Sequence, residues 1–118
     1  MQRIWIVVGS LAGFGAVAMA AVAAHAISDP LAQRVVASAV QMQGWHALAL
    51  VGVALWSPRG GWLAHAAGGA FTVGIPLFCG ALYAQGLEGT SFGRIAPTGG
   101  IALMLGWLLL GASALRAQ

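Results

Sequence analysis

Four apolar runs, at about 4–26, 30–56, 62–84 and 96–115, dictate what this chain can become. At roughly 1.5 Å per residue, each can carry a helix across a hydrocarbon core about 30 Å thick. Punctuation separates them. Ser28-Asp29-Pro30 reads as a helix start, with Asp29 able to cap and Pro30 suited to the first helical position. Ser57-Pro58-Arg59-Gly60-Gly61 reads as a breaker, the stretch 85–94 as a loop rich in glycine and polar residues, and Pro97 as the opening of the last run. Arg3 with Ala24-His25-Ala26 imitates a signal peptide, but the apolar run is too long for one and is taken as a span.

Composition agrees. Only 6% of the 118 residues are charged and 60% are hydrophobic, whereas a soluble domain carries about 25% charged residues. Such a chain cannot cover a water-facing surface. The expected fold is an all-α membrane protein, one domain over residues 1–118, folded as an antiparallel four-transmembrane-helix bundle. The formal net charge of +3 comes from five scattered arginines against Asp29 and Glu88. These form no basic stripe, which argues against nucleic acid, and are read as topology signals. Arg3, Arg59 and Arg116 fall on one side without an acid, whereas Asp29 with Arg34 and Glu88 with Arg94 cancel on the other. The positive-inside rule then makes both termini cytoplasmic, N-in/C-in. Trp5, Trp56 and Trp62 fall near that inner boundary, where an aromatic belt is expected.

Small residues recur every fourth position. Gly9 and Gly13, then Ala12, Ala16 and Ala20, mark the first span; Ala66, Ala70 and Gly74 mark the third. This is the pattern that lets helices approach closely, and packing within one bundle is preferred over homodimerisation.

The second run carries the polar residues that demand a reason. Gln43 and His46, three residues apart, share a helix face at membrane depth, where polar groups are costly. Gln33, Arg34, Ser38 and Gln41 fall on the opposite arc, so Gln43 and His46 are expected to point inward. Counting from the inner boundary puts His46 roughly 15 Å deep and His25 roughly 31 Å away, at the outer edge. His65 lies near the inner surface. Three histidines at three levels make neither a zinc site nor a bis-histidine haem site. The single cysteine, Cys79, allows no disulfide and reads as an apolar filler. No catalytic residue set, metal site or cofactor is assigned. The candidate polar cluster is His25, Gln43, His46, Thr72 and Tyr83. In it His46 is expected to donate toward Thr72, whose carbonyl Pro76 frees, Gln43 to reach the first or fourth span, and Tyr83 to anchor at the outer boundary.

Ala24-His25-Ala26, Gln43-Gly44-Trp45-His46 with Leu48, the run LFCGALY at 77–83, and Pro97-Thr98-Gly99-Gly100 with Gly106-Trp107 occur in this order. In these pieces, over nearly its whole length, the chain resembles the small bacterial membrane proteins called YgdD-like, domain-of-unknown-function family 423. It departs from them at Cys79 and Ala81, where the family tends to have serines, and at Met42, where an aromatic is usual. The resemblance implies a four-helix protein of the bacterial inner membrane and no particular reaction. Two functional classes remain. One is a non-enzymatic helix-packing accessory or scaffold, self-associating or joined to a membrane-protein partner. The other is a binder of a small amphiphile, a quinone or lipid headgroup, through His25, Gln43 and His46.

Overall fold

The computed structural model describes residues 1–117. It contains three helices, α1 (Gln2–Ala26), α2 (Pro30–Glu88) and α3 (Ile95–Arg116), and no strand among the described residues. The start of α2 is capped by Asp29, whose carboxylate accepts from the Ala32 amide at 2.9 Å, with Pro30 at the first helical position. It ends on Gly89 at φ 71°, where the amides of Gly89 and Thr90 reach the carbonyls of Gln85 and Ala84.

A straight 59-residue helix would run about 89 Å. The longest dimension of the molecule is 51 Å. The difference is made at Gly61, whose φ of 66° and ψ of −149° are the only non-helical angles inside α2. That combination is open to glycine almost alone. Here α2 folds back on itself, giving a first arm (residues 30–60) and a second arm (residues 62–88). Gly86 accordingly packs against Val36 and the carbonyl of Ala32.

The expected four separate helices are therefore corrected to three, because the breaker at 57–61 is a single residue wide. Pro58 stays within the helix. Its ring leaves the carbonyl of Ala54 without the usual amide partner, and the Ser57 hydroxyl donates to that same carbonyl at 3.0 Å.

The hairpin of α2 is the centre of the molecule. Both α1 and α3 pack on it, and among the described residues no Cα of α1 comes within 8 Å of one in α3. Gly9 of α1 lies against Ala47 and Leu50 of the first arm, and Gly68 of the second arm lies under the Trp5 indole. On the other flank Gly99 and Gly106 of α3 meet Phe78 and Phe71 of the second arm. Leu50, Val53, Ala54, Ala67 and Phe71 are fully buried between these layers. The outward faces are apolar: Phe14, Leu48, Leu55 and Leu108 are 70% or more exposed. All three helices are long and apolar enough to cross a membrane. Apolar patches on this scale demand a nonpolar neighbour.

Among the small residues of the sequence pattern, Gly9, Ala16 and Gly74 are buried, and Ala12, Gly13, Ala66 and Ala70 are half-buried. Ala20 is exposed and lines an open groove of about 590 Å³ between α1 and the first arm, with Gly13, Gly44 and Leu48.

Candidate functional site

The polar side chains inside this fold form a seam of cross-helix hydrogen bonds. Gln43 ties three pieces together. Its Nε2 donates to the Ala12 carbonyl of α1 at 2.8 Å, and its Oε1 accepts from the Tyr83 hydroxyl of the second arm at 2.6 Å. Gly15 makes the first bond feasible: a Cβ there would lie 2.6 Å from Nε2 of Gln43. Tyr83 is thus half-buried and engaged inward, not the boundary anchor expected of it.

One turn further along, His46 is 3% exposed. Its Nδ1 lies 2.6 Å from the Met42 carbonyl, and its Nε2 lies 3.0 Å from Nε1 of Trp107 in α3. An indole N–H can only donate, so Nε2 must be the acceptor and Nδ1 must carry the proton. This pair of bonds requires the neutral Nδ1–H tautomer and occupies both ring nitrogens. Phe71 completes the packing, with ring centroids 5.4 Å from His46 and 5.2 Å from Trp107 in tilted and edge-on contacts. Gly106 gives that ring its space, since a Cβ would lie 2.5 Å from it.

The Thr72 region is not the partner of His46 that the sequence leads one to expect. Thr72 turns back on its own helix and donates to the Gly68 carbonyl at 2.7 Å, a local bond always within reach of a helical threonine. His25 is exposed in the last turn of α1 and takes part in none of these bonds. Of the five candidate residues, Gln43 and Tyr83 meet directly, His46 lies a turn away on other partners, and His25 and Thr72 stand apart.

The other end of the hairpin carries further bonds that the sequence pattern did not reveal. Trp5 donates to Nδ1 of His65 at 2.8 Å, and Trp56 donates to the Ser113 hydroxyl at 2.8 Å. Neither indole is a simple boundary residue: Trp5 is 6% exposed and Trp56 is half-buried. Ser113 is fully buried and donates in turn to the Leu110 carbonyl. Of the residues that sequence reasoning missed, Trp107 and Ser113 are the principal ones. Trp107 carried a signal, since Gly106-Trp107 is among the pieces that carry the family resemblance, while Ser113 carried none.

Chemically the seam is saturated. No buried side-chain nitrogen or oxygen among the described residues lacks a partner, and no three of their His, Cys, Asp or Glu side chains are grouped to hold a metal. An apolar cleft of about 280 Å³ opens beside His46, between Met42, Phe78, Leu103 and Trp107, but Gln43 does not line it.

The family model for the protein of unknown function DUF423 matches residues 19–100. This chain belongs to the DUF423 family. A UPF0382 membrane protein of Haemophilus influenzae is 30% identical over 122 residues, covering 100% of this DUF423 chain and 98% of its relative. A UPF0382 membrane protein of Staphylococcus epidermidis is 30% identical, and the UPF0382 membrane protein YwdK of Bacillus subtilis 28% identical, each with 98% of both chains covered. No solved structure matches. The chain is a member of an uncharacterised family of bacterial membrane proteins, and the apolar exterior of its helices agrees with that.

Proposed function

We propose that this DUF423 chain is a non-catalytic, helix-packing subunit of the bacterial inner membrane, acting as an accessory or scaffold in a homo-oligomer or a larger membrane complex. It crosses the bilayer four times, once with α1, twice with the arms of α2 and once with α3. Both chain ends and the hairpin tip face the cytoplasm. The charge distribution supports this orientation, because Arg3, Arg59 and Arg116 share one end with no acid. The observation that carries the functional reading is the saturation of the seam. Gln43, His46 and Tyr83 spend their hydrogen-bonding atoms on Ala12, Met42 and Trp107 and on one another. These residues are polar pins that hold the register of the hairpin against its flanks.

What remains available is the exterior. The groove between α1 and the first arm is apolar and lined by Gly9, Gly13, Ala16 and Gly44, the small residues that permit close approach of a further helix. The test is disulfide crosslinking in native membranes on a Cys79→Ser background. Single cysteines at Val17 or Leu48, on the groove side, should give a specific crosslinked species, and one at Leu108 on the α3 face should not. Equal crosslinking at all three positions, or none, would defeat the reading.

A further inference from the structure

The end of the molecule that carries the hairpin tip holds a second polar arrangement, unrelated to the seam. Arg59 and Arg116 line one open cleft of about 200 Å³ together with Gly60, Gly61 and Trp62. The chain's two acids, Asp29 and Glu88, lie at the opposite end, next to the loops that join the helices. Among the described residues no carboxylate side chain is therefore at hand to neutralise the two guanidinium groups.

A part-buried contact lies behind the cleft. Trp56 donates to the fully buried Ser113, and this bond fixes the indole as a plate between the first arm and α3. The Arg59 guanidinium lies over that plate, 5.6 Å from the ring centroid. Gly60 leaves the room, since a Cβ there would collide with Nε1 of Trp56. Residues three apart share a helix face, so Trp56 with Arg59 and Ser113 with Arg116 form two parallel pairs. The bond joining the inner members brings the outer members, both arginines, to one opening. Trp62 adds a further donor. It is 66% exposed, and its indole N–H, unlike those of Trp5, Trp56 and Trp107, has no partner among the described residues.

We propose that this cleft binds a phosphate group, held by the forked guanidinium groups of Arg59 and Arg116 and by the Trp62 indole N–H. Arginine forks match phosphate oxygens two at a time. The phosphate comes either from the headgroup of an anionic phospholipid or from a soluble phosphate ester. The lipid source rests on the membrane-spanning reading above, and the soluble source does not.

The experiment uses the full chain in nanodiscs. In the first set, discs contain phosphatidylglycerol and phosphatidylcholine, and native mass spectrometry counts the phosphatidylglycerol retained after transfer to mild detergent. In the second, discs contain phosphatidylcholine alone, and binding of inorganic phosphate and glycerol phosphate is followed by phosphorus NMR. Binding in the first set identifies a lipid ligand and in the second a soluble one; either supports the site. In whichever set shows binding, the variant R59Q/R116Q should weaken it by roughly thirty-fold, about five-fold per arginine. The variant R34Q/R94Q makes the same charge change at the other end and should leave binding nearly intact. Should R59Q/R116Q fail to insert, R116Q alone, in the exposed last turn of α3, should cost about five-fold. Ser113→Ala keeps both arginines but frees the Trp56 plate, and should also weaken binding several-fold. Binding of neither probe, equal loss in the two double variants, or full retention in Ser113→Ala would overturn the proposal.

Discussion

The indole N–H of Trp107 donates to Nε2 of His46 at 3.0 Å, from α3 into the first arm of α2. The two residues are 61 positions apart in sequence. Since the Nδ1 of the same ring contacts the Met42 carbonyl, the imidazole is held at both ends and its tautomer is set by its neighbours. Trp107→Phe removes one donor and should cost about 1 kcal/mol, within the range of interhelical bonds measured in membranes. His46→Ala also leaves a cavity against Phe71 and should cost about 2–4 kcal/mol. A double-mutant cycle, read by reversible unfolding in mixed micelles, should give a coupling of about 0.6–1.7 kcal/mol. Nitrogen NMR should show a protonated Nδ1 and a bare Nε2. No coupling, or the opposite tautomer, would refute the pinned imidazole.

Gly61 sits in open space. A Cβ added there would meet no atom within 4 Å, so a substitution tests backbone strain alone. At φ 66° and ψ −149°, Gly61→Ala should cost about 1–3 kcal/mol. Gly52→Ala, equally uncrowded but helical, should be neutral or slightly stabilising. Equal stability of the two variants would count against a hairpin that depends on Gly61.

Gly99 and Gly111 of α3 give a contrast in packing. A Cβ at Gly99 would press into the backbone of Leu77 and Phe78, whereas one at Gly111 meets nothing within 4 Å. Backbone cannot step aside as a side-chain tip can. Gly99→Ala should therefore cost more than about 2 kcal/mol, in the range of severe overpacking. Gly111→Ala should gain up to about 1 kcal/mol from helix propensity. Comparative denaturation midpoints in one detergent decide the matter.

Cys79 is 1% exposed and is the only cysteine. A membrane-permeant maleimide should label it only as the helices open, so labelling should be slow in native membranes and complete in denaturant. Rapid labelling of the folded protein would show that the contact between the second arm and its neighbours is looser than described.

Much of this architecture is legible in the residues, because a bilayer admits few solutions for apolar runs of such length. The cap at Asp29, the return near Gly61 and the inward face of Gln43 and His46 all follow from local rules. The partners of those side chains do not. Trp5 and Trp56 look like boundary residues by depth, yet both donate into the interior, because lateral position on a helix depends on which neighbour arrives. Tyr83 likewise reaches Gln43 only because the second arm folds back beside the first. Thr72 bonds to its own helix instead of His46, a competition between a local bond and a distant one that spacing cannot resolve. The breaker at 57–61 misleads in its width, since Ser57 supplies the hydrogen bond that Pro58 withholds from Ala54.

The separation of α1 from α3 has a mechanical consequence. Each flank is fastened only to the hairpin, so a force applied to the two chain ends should draw them off as independent events. In a single-molecule pulling experiment the trace should show a rip for either flank without the other, in variable order from pull to pull. The hairpin, left with its own two arms zipped together, should come apart last, making it the unit from which the rest of the molecule can be rewound.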